Sequence, residues 1–539
     1  MDHAAAESLP KVPWWFDLLA LVRTPLILFI VLPLSFVLGI VERLRNWYYF
    51  SFCQTPKLHT ERVKNIQRLV AEWIHRGRPG KLCTSRSAAS GMNTRMPSFK
   101  GSCHKINTSA LRDVLSVDED KLTATLEPLV NMGYVSRFLI PRGLSLQCLP
   151  EMDDLTIGGL VNGYGVSTSA HNFGTMQDAI VELEMVMSDA SVVVATANNE
   201  HCDLFRAVPW SHGTLGILVS VTVRLVRVKP FVRLRYIPCF SIHELQRRTS
   251  DILRSNVDCP DFFEATLFSP TSSVIQIGRY CHAHEHATTP INRISWWFKP
   301  WFYKHVEGAL CGTVKDELIP LRDYYHRHTR SIYWELSDMI PFANHPLYRC
   351  ALGWLGAPKV SLIKSTQGVV MRRAVLYKHV CQEFMVPLSQ LEDLHNLFAH
   401  HFETYPLLLY VIRVVDYGTT ESAQRQTHGQ GFIRPPPRSM VERGKNYALF
   451  AELGAYGVPA TVRRGILWNA LDHIRELEAF ARRQKGYQCL CFDTLQTVEE
   501  FGDMFDHRLW TYVRAKYSCE DAFPDVWTKV RPERGVLPS

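Results

Sequence analysis

The stretch Thr156-Ile157-Gly158-Gly159-Leu160-Val161-Asn162-Gly163-Tyr164-Gly165-Val166-Ser167-Thr168 places four glycines within eight residues. It follows Pro150-Glu151-Met152-Asp153-Asp154, which reads as a loop. Glycine lets the main chain take positive φ and lets another molecule approach the backbone closely. Consecutive main-chain N–H groups in such a loop can form a concave anion site, and the pyrophosphate of a nucleotide cofactor is the obvious cargo. A flexible, irregular loop would carry the same glycines, so the surroundings decide. The run is not a Rossmann fingerprint, because Ser167-Thr168 stands where a third glycine is needed and no βαβ pattern surrounds it. It is not a P-loop, because no Gly-Lys-Ser/Thr follows.

Working outward, residues 57–80 carry Val63, Ile66, Leu69, Val70 and Ile74 at helical spacing. Residues 104–150 read as short strands, with Leu122–Leu126 alternating, and 132–141 as a helix stopping before Gly143. Two strand patterns in 179–195 meet at the turn Ser188-Asp189-Ala190-Ser191. Asp203–Val208 reads as a short helix and Ile217–Val226 as an alternating strand. Residues 52–228 are therefore an α+β unit with the glycine run near its middle. Further on, 260–280 is strand-rich and 294–305 is aromatic, a pattern of core, lipid-facing surface or apolar ligand pocket. Residues 417–446 are polar and contain Pro435-Pro436-Pro437, the composition of an exposed loop.

A chain of 539 residues suggests two or three domains, and its 46% hydrophobic and 21% charged fractions suffice for sizeable cores. The net charge of +8 is mild for this size and suits anionic lipid or phosphorylated cofactors; with no long basic run interleaved with aromatics, no nucleic-acid partner is expected. The fourteen cysteines form no C-x-x-C pair, so they read as reduced thiols in a cytosol-facing body.

Thr24 to Val41 are eighteen uncharged residues rich in Leu, Ile, Val and Phe. As a helix they span about 27 Å, close to the hydrocarbon core of a bilayer. Trp14, Trp15 and Phe16 precede the span and Trp47, Tyr48, Tyr49 and Phe50 follow it, as in interfacial belts. Pro33 is expected to kink it. Asp2 and Glu7 in the leading residues 1–23 speak against a cleaved signal peptide. Residues 24–41 are thus expected to be a single transmembrane anchor, with the slight excess of basic residues after it favouring a cytosolic body.

The order of motifs resembles the flavin-binding domain of the vanillyl-alcohol-oxidase (PCMH) superfamily. Leu149-Pro150 leads to the glycine run, Gly174 and the strand–turn–strand follow, then Asp203-Leu204-Phe205 and Gly213-Thr214-Leu215-Gly216. Within it the chain resembles the Δ24-sterol reductases, the 24-dehydrocholesterol reductase and Diminuto/Dwarf1 family. Lys81-Leu82-Cys83-Thr84, Leu126-Glu127-Pro128-Leu129, Ala207-Val208-Pro209-Trp210-Ser211, residues 299–307 and 324–331, Gly454-Ala455-Tyr456-Gly457 and Asp521-Ala522-Phe523-Pro524 carry the likeness. The resemblance implies a PCMH-type two-subdomain FAD-binding domain over 52–228, an α/β cap for substrate over 229–480 and a C-terminal segment 481–539 packing back on the body. It implies non-covalent FAD, NADPH as electron donor, a sterol substrate, and the endoplasmic reticulum membrane as location, with Golgi membrane as alternative. Residues 156–168 with Gly213, Thr214 and Gly216 would hold FAD. Three departures stand out: Ser87-Ala88-Ala89 follows Arg86, Asp189-Ala190 occupies a turn that is more usually Asp-Gly, and the polar stretch 417–446 is longer than the resemblance leads one to expect.

Saturating an isolated trisubstituted alkene needs hydride at one carbon and a proton at the other, so a positioned acid and exclusion of water are required. Tyr456, between glycines, and His328 are the candidate acids, each with a packing role as alternative. His326 and His328, two apart, would share a face on a strand, or form a structural or surface basic cluster with Arg327 and Arg330. No cysteine or carboxylate set completes a metal site there, so no metal is expected. Lys359 and Lys364 are candidates for NADPH phosphate, His171 for a cofactor hydrogen bond, and Asp153 and Asp154 read as turn residues. A flavin oxidase of a hydroxy acid or aldonolactone, and a non-catalytic membrane-bound sterol-binding protein, are the alternative functions.

Overall fold

The computed structural model describes residues 24–49, 52, 55–87, 91, 98–255, 258–366, 379–417, 431–466 and 468–532. The leading residues 1–23, Ala88-Ala89 and residues 418–430 of the polar stretch lie outside the described residues.

The apolar helix runs from Thr24 to Tyr48, long and apolar enough to cross a membrane. The proline falls just after a π-helical turn, Ile27–Val31, where the Leu32 N–H reaches back to the Ile27 carbonyl. Widening by one residue there accommodates a Pro33 that cannot donate. The next helix, His59–His75, buries Val63, Ile66, Val70 and Trp73. It stops short of residue 80 because Gly77 and Arg78 take φ of 76° and 57°.

Strands β1 (Leu82–Thr84) and β2 (His104–Ile106) form a parallel pair. The six-stranded sheet of the first unit runs β3 (Val114–Asp118), β4 (Thr123–Leu126), β8 (Ile217–Arg227), β6 (Ile180–Val186) and β7 (Val192–Thr196), with β5 (Leu144–Leu146) also pairing with β8. Met132–Leu139 is a helix capped by Asn131, and the chain turns out of it at Gly143, φ 69°.

The second unit is an antiparallel sheet of eight strands. Its order is β12 (Glu317–Pro320), β9 (Phe231–Cys239), β11 (Ser273–Cys281), β10 (Phe262–Leu267), β14 (Leu407–Val415), β15 (Tyr447–Gly457), β13 (Val380–Pro387) and β16 (Tyr487–Gln488). The sheet thus extends past residue 480. Side chains alternate across a strand, so register assigns the faces. Phe263, Ala265, Leu409, Leu453, Val411 and Phe384 share one face by pairing, and they sit in a core with residues of the helices Ile242–Arg254, Leu391–His401 and Ala470–Arg483. Glu264, Gln276, Tyr410, Glu452, Glu383 and Tyr456 share the other face. After β16 the chain returns to the first unit: Leu82 N–H donates to Ala522 O at 2.6 Å, and Ser188 Oγ donates to Tyr517 O at 2.8 Å.

The mixed architecture agrees with the α+β expectation. His326 and His328 do not lie on a strand, where they would share a face: the helix Leu321–Tyr325 ends there and a series of turns follows. The cause is burial, because each of these residues makes its own tertiary contact. The aromatic stretch divides, with Trp301, Phe302 and Tyr303 buried and Trp296, Trp297 and Phe298 exposed.

Candidate functional site

The glycine run is not a loop throughout. Ile157–Asn162 is a short helix, because Ile157, Leu160 and Val161 fall on one side and are buried in the core of the first unit. That apolar spacing outweighs the two helical glycines. The N–H groups of Ile157, Gly158 and Gly159 donate to Val130, Pro128 and Thr156 carbonyls at 2.9, 2.9 and 3.0 Å, so the amides expected to cradle an anion are taken at this end. Among the described residues, no protein acceptor takes the N–H groups of residues 164–168.

The glycines answer to different needs. A Cβ on Gly158 would lie 2.5 Å from Pro128 Cβ, one on Gly163 2.8 Å from Gly159 O, and one on Gly165 3.0 Å from Met176 Cβ. Those three are required by the protein's own packing. Gly159 is exposed, its φ is unexceptional, and a Cβ there would meet only Thr156 Oγ1 at 3.3 Å. Packing demands glycine far less here than at Gly158, since Thr156 Oγ1 need give only a few tenths of an ångström, and alanine is favoured in a helix by about 1 kcal/mol. A molecule approaching the backbone does gain from glycine, and the run fits a nucleotide cofactor on that ground.

One cation reaches the run and another the second glycine stretch. Arg86 Nη1 donates to Thr156 Oγ1 at 2.7 Å, and burial lowers its pKa. Lys529 donates to the carbonyls of His212 and Gly213. The second glycine stretch is tied to the first by His212 N–H donating to Asn162 O at 2.7 Å. Gly213 turns at φ 67°, whereas Gly216 is packed under Met185, whose Cε would lie 2.9 Å from a Cβ. Thr214 is buried, and its hydroxyl donates to Ser211 O at 2.7 Å while accepting from Trp510 Nε1 at 2.8 Å. Its hydroxyl therefore serves the return of the C-terminal segment.

The end of the run crosses to the second unit. Tyr164 packs on Trp210 with ring centroids 4.9 Å apart, and Val166 touches the cores of the sheet and of the aromatic cluster beside the apolar helix. Ser167 Oγ pairs with Ser169 Oγ at 2.8 Å, and Thr168 O accepts from Phe263 N–H of β10 at 2.8 Å. His171 is buried against Pro260 O at 2.9 Å, and burial pulls it down to about 4, so it is a neutral structural joint.

Opposite the end of the run lies the polar face of the eight-stranded sheet. The Tyr456 hydroxyl donates to Glu383 Oε1. Cys491 and Cys489 thiols donate to Glu383 Oε2 at 3.0 Å and Glu452 Oε1 at 3.1 Å. Ligand atoms of Glu383, Glu452 and Cys489 lie within 4.8 Å of one another. Burial raises both carboxyls, and for Glu452 the charge of Glu383 adds to it, so the pair retains a proton where two carboxylates would repel. With its carboxyls raised the set shares a proton, whereas a metal centre there would need these ligands deprotonated. Burial and then Glu383 push Tyr456 well up.

His328 joins Tyr456 through one stack: His328 on Tyr333 at 4.7 Å and Tyr333 on Tyr456 at 5.4 Å. The structure thus brings both candidate acids into one column. Burial lowers the His328 pKa, so it is neutral near pH 7. Beside it, Arg327 makes a double hydrogen bond to Glu264, at 2.9 and 2.6 Å. Burial opposes the charge on Glu264, but Arg327 and His328 outweigh it and hold the carboxyl at about 2. His326 bonds Ser136 Oγ at 2.7 Å and lies 2.5 Å from Asp153. His326, Arg327 and His328 are buried, so they form a structural cluster rather than a basic surface. Lys359 pairs with Glu42 of the apolar helix, and Lys364 donates to Gly91 O at 3.1 Å.

Sequence reasoning missed Glu264, Glu383, Glu452 and Lys529. A signal existed for the three glutamates: each is a lone carboxylate inside a strand of otherwise apolar or uncharged residues, FFEATL, VCQEFMVP and YALFAELGAYG. A charge in a strand buried on both faces marks a partner or a site. No local signal points to Lys529, which arrives from the far end of the chain.

A family model described as an FAD binding domain matches residues 63–196. The chain is 37% identical over 510 residues to the Delta(24)-sterol reductase of Homo sapiens, covering 93% of this chain and 92% of that protein. It is 34% identical over 541 residues to the Delta(24)-sterol reductase of Pisum sativum, covering 96% of this chain and 93% of that protein. Similarity to L-gulonolactone oxidase of Mus musculus is confined to 208 residues at 25% identity, 38% of this chain and 42% of that protein.

Proposed function

The chain belongs to the Δ24-sterol reductase family, and from that premise we propose how its parts divide the reaction. The protein is a flavin-dependent oxidoreductase that reduces the side-chain double bond of a sterol, with FAD as cofactor and NADPH as reductant. The oxidase alternative loses its ground, since similarity to L-gulonolactone oxidase covers only part of the chain, whereas the reductases match it nearly end to end.

FAD, when bound, supplies the hydride. Residues 156–168 hold it, with Gly159 giving close approach and Arg86 and Lys529 supplying positive charge for its pyrophosphate. Gly213 lines the second approach, while Thr214 and Gly216 shape that turn from beneath. The polar face of the eight-stranded sheet supplies the proton: the Glu383–Glu452 pair stores it and Tyr456 hands it to the alkene carbon opposite the hydride. Tyr456 alone, with its pKa pushed well up, is too weak an acid; the carboxyl pair is the stronger donor behind it. His328 and Tyr333 set the position of the Tyr456 ring.

The observation that carries this reading is that the end of the glycine run, at Val166, packs against the aromatic cluster that contains Tyr456, whose hydroxyl donates to Glu383 of the carboxyl pair. The apolar helix is compatible with a membrane anchor. We assign the protein to the endoplasmic reticulum, with the one apolar helix as its anchor and its catalytic groups open to the cytosol, where NADPH is available. Purified protein should show a flavin absorbance band and consume NADPH when given desmosterol, with a matching gas-chromatographic sterol product. Colourless protein that binds sterol without turnover would replace this reading with the binding-protein alternative.

A further inference from the structure

Large apolar side chains are exposed on three neighbouring segments. The helix Thr24–Tyr48 exposes Phe29, Val37 and Leu44, Phe29 at 78%. Trp296, Trp297 and Phe298 form a cluster with centroids 5.3 and 5.4 Å from Phe298. Residues 342–354 expose Phe342, Leu347 and Trp354, Leu347 at 74%. These segments are continuous: a Cβ on Gly353 would lie 2.7 Å from Trp297 O, and Trp354 meets Phe36 of the helix edge-on at 5.1 Å.

The helix is held to this part of the body along its length. Ile27, Val31, Leu32 and Ser35 form a buried stripe. Thr24 Oγ1 donates to Met339 O at 3.0 Å, Lys359 N–H donates to Ser35 Oγ at 2.9 Å, and Lys359 pairs with Glu42. From Thr24 to Glu42 a helix rises about 27 Å. A helix this apolar resides in lipid, and a body fixed along it over that distance enters the same lipid. Tryptophan at the rim and basic groups behind it suit the headgroup level; Arg330 and Arg349 donate to the Trp297 and Phe298 carbonyls at 2.8 and 3.0 Å.

The aromatic surface also leads inward. Ile27 shares one cluster with Trp301, Tyr303, Trp334 and Tyr456. Trp334 Nε1 donates to Tyr456 O at 2.8 Å, and the two rings lie 5.6 Å apart.

We propose that Trp296–Phe298 and residues 342–354 form a lipid-facing surface seated in the bilayer that holds the apolar helix, and that sterol passes from that bilayer to Tyr456 along the aromatic cluster behind it. The second half rests on the sterol-reductase reading; the first does not. Full-length protein would be reconstituted in phosphatidylcholine vesicles with brominated acyl chains, carrying a fluorophore on Cys350, which is exposed between Leu347 and Trp354. The Cys350→Ser variant gives the background from other thiols, and Asp120→Cys in that variant reports the exposed turn after β3. Bromolipid should quench the Cys350 label while aqueous iodide does not, with the reverse at residue 120. Iodide quenching at Cys350 equal to that at residue 120 would overturn the surface. Trp297→Ser with Leu347→Ser should raise KM about tenfold for desmosterol in vesicles, a loss of ~1.4 kcal/mol, leaving kcat and the KM for cyclodextrin-delivered desmosterol unchanged. An unchanged vesicle KM would overturn the route. Absence of turnover by the wild type from either source would overturn the reductase reading and leave the quenching result standing.

Discussion

Gly159 and Gly158 are neighbours with opposite duties. A methyl at Gly158 would press on Pro128, whereas one at Gly159 meets no closer contact than 3.3 Å. Gly158→Ala should therefore destabilise the fold by roughly 1–3 kcal/mol, as overpacking does. Gly159→Ala should raise Tm, by up to about 1 kcal/mol of added stability, while weakening FAD retention at least tenfold. Thermal denaturation of apoprotein and flavin titration read the two effects separately; full flavin retention in Gly159→Ala would move the pyrophosphate elsewhere. Glu383 offers a second divided readout. Glu383→Gln should leave NADPH-driven bleaching of the flavin intact and slow alkene reduction by about 10²-fold, the scale of a lost general acid. Because the pair must hold a proton, alkene reduction in the wild type should fall as pH rises through its raised carboxyl range. Infrared difference spectra of apoprotein should show a protonated carboxyl band persisting above the ordinary carboxylate range, lost when Glu383→Gln and Glu452→Gln are combined.

The helix His59–His75 is anchored at its first residue. His59 Nδ1 and Nε2 lie 2.8 Å from Glu127 and Glu184, and Arg62 pairs with Asp113 and Glu127 at 2.8 and 2.9 Å. Burial opposes a charge on His59, but the hydrogen bonds to Glu127 and Glu184 outweigh it and raise it to about 9. A raised folded-state pKa stabilises fully below the unfolded value near 6.5 and is lost as pH climbs through about 9. Stability should therefore decline between about pH 6.5 and 9 by on the order of 2 kcal/mol, a slope that His59→Gln flattens in denaturation measured across pH. The glycine run teaches a related point at the same scale. Its glycine content suggests a loop, but Ile157, Leu160 and Val161 at helical spacing convert its first half into a helix, and the uncommitted amides move on to residues 164–168.

In the whole molecule, the C-terminal segment closes the first unit. Arg514 donates to Thr214, Phe523 and Pro524 carbonyls at 2.8, 2.9 and 3.2 Å, and Lys529 reaches the second glycine turn. Removing residues 508–539 should uncover that turn, giving protein that purifies without flavin and is cut rapidly by protease within the first unit; flavin retained at wild-type level would show the segment to be dispensable.

The sequence by itself determined what local rules govern. Apolar periodicity marked the helices and strands of the first unit, an eighteen-residue uncharged run marked the membrane helix, and the glycine spacing excluded a Rossmann loop and pointed to a PCMH-type flavoprotein. It also named Tyr456 and His328, though not their relation. Only tertiary structure decided that they stand in one aromatic column, because 128 residues separate them and two strands lie between His328 and the strand that carries Tyr456. It alone paired Glu383 with Glu452 on a shared sheet face, since strand register is a long-range property. It also sorted the glycines into those that packing demands and the one left open to a cofactor, because a Cβ clash depends on residues far away in sequence.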